Sequence, residues 1–313
     1  MNFLVTGGAG FIGSNIVDYL LKEGYFVRVL DNLSSGKRIN LKEAKMNKNF
    51  EFIKGDIRDY KTCCKATNGI DCVLHQAALL SVPKSMDDPY SYNDVNISGT
   101  LNMLNASKFN KTRRFVLASS SSVYGETNVF PEREDSLPKL ISPYALSKLA
   151  SEYYCRIFSE NYNLETVCLR YFNVFGPRQN MDDEYSVVIP KFINMMLSDK
   201  QPSVHGDGKQ SRDFVFIDNV VEANILAATK NGLKCEVVNV ANNKDIPILK
   251  LVQILNQIMG KSIKPLFTPK RLGDVQKTLA DISLAEKVLG FKPVVDFETG
   301  LSLTVEWFKK QKR

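Results

Sequence analysis

A glycine-rich turn near the N-terminus limits what this chain can fold into more than any other feature. The strand-like Asn2-Phe3-Leu4-Val5 runs directly into Thr6-Gly7-Gly8-Ala9-Gly10-Phe11-Ile12-Gly13, and a helical pattern follows at once. Each glycine has its own reason: Gly7 permits a tight turn, Gly10 lets backbone approach a pyrophosphate, and Gly13 lets the helix pack closely on the strand. Phosphate would then face the positive end of that helix. A dinucleotide crevice at the carboxyl ends of a parallel sheet is the expected consequence.

The chain around the turn agrees. Short β-branched runs at 3–6, 26–30, 50–53, 72–75, 115–118 and 166–169 alternate with amphipathic helical patterns at 11–23, 94–108 and 144–162. Alternating βα units predict an α/β fold with a Rossmann-type doubly wound parallel sheet. After Phe172 the pattern changes to loops rich in Gly, Pro and Asp, with helices predicted at 188–197, 220–230, 248–259, 283–289 and 301–310. At 313 residues the chain has room for two units. We expect a dinucleotide-binding domain over 1–172, joined by a returning strand near 236–241, and a smaller mixed substrate-binding domain over 173–313.

Asp31 ends the second predicted strand, eighteen residues past Gly13. A carboxylate there accepts from a ribose 2′-hydroxyl and repels a 2′-phosphate, which favours NAD over NADP, although Arg38 nearby could serve a phosphate. Gly55-Asp56-Ile57-Arg58 suits the adenine edge, and Gln76-Ala77-Ala78 puts small residues where a dinucleotide must lie close to backbone. His75, just before them, reads as a packing residue at a strand end.

A second constellation carries chemistry. In Ser142-Pro143-Tyr144-Ala145-Leu146-Ser147-Lys148, Tyr144 and Lys148 share one face of a helix start. A phenol of pKa about 10 is a poor base at neutral pH, but a neighbouring ammonium and an oxidised nicotinamide both favour its phenolate. A serine from the run 119–122 could bond the same substrate hydroxyl and relay its proton.

Composition removes several other classes. The net charge of +7 is scattered apart from Lys309, Lys310, Lys312 and Arg313, which read as a solvated helix end, so no nucleic-acid partner is expected. With neither a signal-like start nor an apolar run near 18 residues, the chain reads as cytoplasmic with no membrane partner. Cys63, Cys64, Cys72, Cys155, Cys168 and Cys235 show no metal or disulfide spacing, and two histidines make no metal site.

With these residues in place, the chain resembles the extended short-chain dehydrogenase/reductase family from Gly7 to near the C-terminus, including Leu169-Arg170-Tyr171-Phe172-Asn173-Val174-Phe175-Gly176. Within it, the closest likeness is to UDP-hexose 4-epimerases, and among those to enzymes acting on UDP-N-acetylglucosamine. The resemblance implies Tyr144 as base, Lys148 as its electrostatic partner and Ser120 as hydroxyl helper. It adds Phe11, Ile12, Asn32, Ser34, Ser35, Gly36, Asn96 and Tyr171 to the NAD set. It places Ser81, Ser121, Ser122, Asn173, Val188, Lys191 and Val204 near the nucleotide sugar, Arg212 and Arg271 on its diphosphate, and Asp274 near the uridine ribose.

Related 4,6-dehydratases carry Asp-Glu before the Val-Tyr-Gly that here is Val123-Tyr124-Gly125, and related decarboxylases carry a Glu; this chain has Ser121 and Ser122. Elimination then lacks its proton carriers. Thr278 stands where glucose-restricted relatives often have tyrosine, which leaves room for an acetamido group, while Leu80 replaces the glycine usual in the N-acetylhexosamine epimerases. The competing expectations are a UDP-glucose-only epimerase, an NADP-linked nucleotide-sugar reductase, and a dinucleotide-binding protein without catalysis. Membership further implies a homodimer through the helices at 94–108 and 144–162.

Overall fold

The computed structural model describes residues 1–180, 188–270 and 275–311. In chain order the first half contains β1 (Asn2–Thr6), α1 (Phe11–Lys22), β2 (Phe26–Asp31), β3 (Phe50–Lys54), α2 (Tyr60–Thr67), β4 (Cys72–His75), α3 (Val82–Asp87), α4 (Pro89–Tyr92), α5 (Gly99–Phe109), β5 (Arg114–Ser120), α6 (Pro143–Tyr162) and β6 (Glu165–Tyr171). There follow β7 (Asn173–Phe175), α7 (Val188–Leu197), β8 (Ser203–His205), β9 (Ser211–Phe216), α8 (Ile217–Thr229), β10 (Cys235–Val240), β11 (Asp245–Pro247), α9 (Ile248–Met259), β12 (Leu266–Thr268), α10 (Ser283–Leu289) and α11 (Phe297–Gln311).

Seven strands form one parallel sheet in the order β10-β6-β5-β4-β1-β2-β3. Direction along the sheet reverses between β1 and β4, so a crevice opens at their carboxyl ends. Successive residues of β1 serve opposite faces: Phe3 and Val5 join one apolar core, Leu4 the other. Burial on both sides explains why these strands read as continuous apolar runs. A three-stranded mixed sheet, β11-β9-β7, and a parallel pair, β12-β8, lie beyond β6 in sequence.

Helix α6 is stopped and started by its own residues. The Ser142 hydroxyl accepts from Ala145 N at 3.2 Å, Pro143 occupies the first turn, and Asn163 leaves the helix at φ +55°. The helix predicted at 94–108 is instead divided: Asn93–Ser98 winds as a π-helix and α5 begins at Gly99. Apolar spacing cannot distinguish these windings over so few residues. Short elements such as α3, α4, β7 and β11 escaped the sequence reading because three to six residues carry no full period.

Candidate active site

At the crevice the glycine turn has no room for side chains. A Cβ on Gly13 would lie 2.3 Å from Gly7 O, and one on Gly7 would lie 2.8 Å from Ala77 N, at a φ of +64° that already favours glycine. Gly10 caps α1, so Phe11 and Ile12 open the helix towards the crevice, both half-buried. Asp31 is buried, with Oδ2 accepting from Ala9 N at 2.9 Å and Oδ1 from Leu33 N at 2.7 Å. Each carboxylate oxygen keeps a second lone pair, so Asp31 can also accept from a ribose hydroxyl. A Cβ on Gly36 would meet Asp31 Oδ1 at 3.0 Å, which places this loop against the same carboxylate.

The neighbouring candidates divide. Asn32 donates to Asp56 Oδ2 at 3.0 Å and fixes the exposed Ser34 through its backbone amide, beside exposed Ser35. Arg58 hydrogen-bonds both Asp56 oxygens and holds that carboxyl well below the usual carboxylate range. The Ile57 side chain packs into the core against Gly99, so only backbone at this position remains for an adenine edge. Asn96 is buried and bound to the Leu79 amide, the Leu79 carbonyl and Ser147 Oγ, which ties the loop after β4 to α6. Burial, with Lys148 nearby, pushes His75 down to about 3, and its ring bridges Thr6 and Thr100. It is a neutral packing residue.

Gln76, Tyr171 and Asn224 form a closed triangle: Gln76 Nε2 donates to Asn224 Oδ1 at 3.0 Å, Asn224 Nδ2 to the Tyr171 hydroxyl at 2.7 Å, and that hydroxyl to Gln76 Oε1 at 3.2 Å. Asn224 escaped the sequence reading. Its signal was an amide, one of two with Asn219, on the buried face of the otherwise largely apolar α8.

Tyr144, Lys148 and Ser120 do converge. The Tyr144 hydroxyl is hydrogen-bonded to Ser120, and Lys148 Nζ lies 5.9 Å from the Tyr144 ring centroid while donating to Ala118 O at 2.8 Å. Burial weighs against the phenolate here. Burial pushes the Tyr144 phenol up to about 12 against the lowering effect of Ser120, with Tyr92 adding to the rise. Burial likewise lowers Lys148 to about 8, opposed by Glu152. A fully desolvated pair loses more from leaving water than a cation about 6 Å away returns, so these side chains alone do not make a phenolate at neutral pH.

Behind them lies an ion pair that the sequence reading missed. Glu152 and Arg170 are both buried and meet through two bonds, at 2.8 and 2.9 Å, and Ser119 Oγ also donates to Glu152. Glu152 follows Lys148 by four residues, so helical spacing could have revealed it. Ser121 and Ser122 form the turn after Ser120, where Ser122 N donates to Ser120 Oγ.

Asn173 and Thr278 meet beside β9. Asn173 Nδ2 donates to Thr278 Oγ1 at 3.1 Å and to Asp213 O at 3.1 Å, while Asp213 N donates to Thr278 Oγ1 at 3.1 Å. Arg212 lies in the same strand, its NH1 donating to Ser211 O. Val188 opens α7 half-buried and Lys191 is exposed one turn on. Ser81 caps α3 by accepting from Lys84 N. Val204 packs its side chain into the core, but its strand ends at His205 on a polar cavity of about 190 Å³ that Lys270 and Gln276 also line. Arg271 and Asp274 lie outside the described residues, as do Lys312 and Arg313. Among the described residues no cluster of His, Cys, Asp and Glu could hold a metal, and no helix is long and apolar enough to cross a membrane.

Comparison with known proteins places this geometry among relatives. The NAD dependent epimerase/dehydratase family matches residues 3–241. A protein described as a putative UDP-glucose 4-epimerase from Methanocaldococcus jannaschii is 38% identical over 99% of both chains. Among solved structures, the UDP-N-acetylglucosamine 4-epimerase from Methanobrevibacter ruminantium M1, in complex with UDP-N-acetylmuramic acid, is 43% identical with a TM-score of 0.95, covering 99% of this chain and 98% of that one. The UDP-glucuronic acid 4-epimerase from Bacillus cereus, in complex with UDP-glucuronic acid and NAD, is 35% identical with a TM-score of 0.92, covering 99% and 100%.

Proposed function

This chain belongs to the NAD dependent epimerase/dehydratase family, and from that premise we propose that it is an isomerase interconverting UDP-N-acetylglucosamine and UDP-N-acetylgalactosamine. The coarser part, an NAD-dependent UDP-sugar 4-epimerase, rests on the activity that its relatives share. The choice of sugar rests on the site.

The residues at the crevice fit NAD. A turn that a Cβ would fill, a helix opening onto it, and a buried Asp31 with spare lone pairs are what a pyrophosphate and an unphosphorylated ribose require. When bound, NAD supplies the acceptor and later the donor of a hydride at the sugar C4. Tyr144 takes the O4 proton as C4 is oxidised and returns it when C4 is reduced, with Ser120 as the hydroxyl between them. Lys148 contributes positive charge to that proton transfer. The phenol at about 12 needs further positive charge beside it, so base strength is coupled to cofactor occupancy.

The observation that carries epimerisation is the company that Tyr144 keeps. Ser121 and Ser122, not an acid and a base, follow Ser120, so the 4-ketosugar has no partner for elimination and can only turn over and be reduced. Thr278, small and anchored to Asn173 and Asp213, leaves space for an acetamido group. Hydroxyl and amide groups at this wall suit a neutral sugar. Arg212 and Arg271 are assigned to the diphosphate, since their forked donors match its oxygens. Exposed Leu146, Tyr153 and Ile157 on α6 and Phe109 on α5 supply the apolar surface for a homodimer.

The test is an NMR time course of the protein with UDP-N-acetylglucosamine and, separately, UDP-glucose, without added reductant. The C4 epimer should form, faster from the acetamido sugar, and Tyr144→Phe should lower kcat by about 10²–10⁴-fold while NAD stays bound. A faster rate on UDP-glucose would reassign the substrate. If neither sugar changed, both would be abandoned and UDP-uronic acids tested next.

A further inference from the structure

Glu132 belongs to no part of this mechanism, yet it is 3% exposed and its Oε2 has no hydrogen-bond partner among the described residues. Its surroundings explain why that matters. Glu132 N donates to Leu279 O at 2.7 Å, and the Leu279 amide in turn bonds the Glu132 carboxyl group, so one residue holds both ends of Leu279. The Glu132 carbonyl accepts from Asp281 N at 2.9 Å, and Asn239 Nδ2 bridges the Glu132 and Asp281 carbonyls at 3.0 Å each. From the other side, Asp213 Oδ2 accepts from Ala280 N at 3.2 Å, and Thr278 N donates to Ser211 O at 3.1 Å. Thr278, the residue bonded to Asn173, is the next link in this clamped segment.

We propose that Glu132 is a positioning residue for the substrate: its neutral carboxyl group clamps the 279–281 segment and thereby fixes Thr278 and the adjoining edge of β9 that carries Arg212. The proposal rests on the reading of Thr278 and Arg212 as substrate contacts. Its physical basis is the unequal treatment of the two carboxyl oxygens. A carboxylate anion in a dry site needs donors on both, and only one is offered. Ionisation therefore forces water in or the segment out. The charged groups acting on the Glu132 carboxyl are Asp213 and Arg212, both from β9; Arg133 beside it in sequence pairs instead with Asp135 and Asp281, and Lys277 with Asp245. Burial raises Glu132 to about 8, with the Leu279 amide opposing, Asp213 adding and Arg212 opposing. The clamp is therefore closed at neutral pH and opens above it.

The test compares wild type with Glu132→Gln, which is neutral at every pH, measuring KM and kcat for UDP-N-acetylglucosamine with NAD saturating. Between pH 7 and 9 the wild-type KM should rise by up to about tenfold, one decade per pH unit above the carboxyl pKa. The Gln variant's KM should rise no more than ionisation of the uracil ring, common to both proteins, accounts for, and the kcat profiles should coincide. Parallel KM profiles would overturn the proposal. If the variant does not fold, amide hydrogen exchange in wild type decides: protection lost at 278–281 on going from pH 7 to 9 supports the clamp, and unchanged protection overturns it. Arg212→Ala separates the two readings. If it leaves KM unchanged, the substrate-face assignment has failed; if it raises KM while the profiles stay parallel, only the Glu132 inference has failed.

Discussion

The two ends of the crevice treat their carboxyl groups in opposite ways. At the cofactor end, Asp31 has a backbone amide on each oxygen and Asp56 is held charged by Arg58. At the end proposed for the substrate, burial raises Asp213 to about 7 and Glu132 to about 8, against amide donors from Asn242 and Ala280 on the first and Leu279 on the second. One end is tied together by short-range contacts, with the Asp56 charge held by Arg58. The other is joined across distant segments and sits near its titration point at physiological pH. A cofactor that stays through each turnover suits the first arrangement, and a substrate that must enter and leave suits the second.

The largest expected effect falls on the tightly built end. Gly13→Ala would place a Cβ against the Gly7 carbonyl, where backbone and not a flexible side chain must yield. NAD affinity should fall about a hundredfold, roughly 2.7 kcal/mol, measured by calorimetry on apoprotein. A loss below threefold would mean that the turn is as compliant as the substrate end, and the contrast would fail there.

A smaller effect is expected at the substrate wall. Thr278→Tyr removes a hydroxyl that accepts from Asp213 N and Asn173 and fills the adjoining space. Both sugars should turn over more slowly, with kcat/KM for the acetamido sugar losing about tenfold more than that for UDP-glucose, roughly 1.4 kcal/mol of discrimination. Thr278→Ser, which keeps the hydroxyl, should leave the ratio unchanged. Equal losses on the two sugars would place the wall elsewhere.

The same contrast governs how much could be read from the amino-acid order. Gly7, Gly10, Gly13 and Asp31 lie within one βαβ unit, and Tyr144 and Lys148 within one helical turn, so spacing alone brings them together. Asn173, Asp213, Thr278 and Glu132 meet only because β7 and β9 pair and the 276–281 segment runs between β9 and Glu132. No local period encodes that meeting; residues from this region were named through family likeness, and Glu132 and Asp213 were not named at all. The buried Glu152–Arg170 pair was half legible, its glutamate in helical register with Lys148 but its arginine on a strand. Burial was the missing quantity at Tyr144, where a favourable neighbour was visible in sequence and the desolvation that outweighs it was not.

The smallest predicted effect examines both ends in one measurement, stability against pH. In the unfolded chain Glu132 and Asp213 lose their protons near pH 4, whereas in the folded protein they hold them to about 8 and about 7. The folded state therefore binds more protons across that window, and its stability falls as pH rises through it. His75 has the opposite sign: unfolded it takes up a proton near pH 6.5, folded only near 3, so stability falls as pH drops below about 6.5. Between about 4 and 6.5 the two ends oppose each other, but from about 6.5 to 8 His75 is silent in both states. A decline there, on the order of 1 kcal/mol per pH unit, belongs to the substrate end, because Lys148, lowered to about 8 in the folded protein, adds a slope of the opposite sign as pH nears 8. Thermal unfolding should show Tm dropping by a few degrees over that interval. Glu132→Gln should shallow the decline above pH 6.5 and, with its opposing contribution gone, steepen the rise of stability with pH between about 4 and 6.5. A Tm flat from pH 6.5 to 8 would mean that water already reaches these carboxyl groups, and the two ends of the crevice would then differ in connectivity but not in charge.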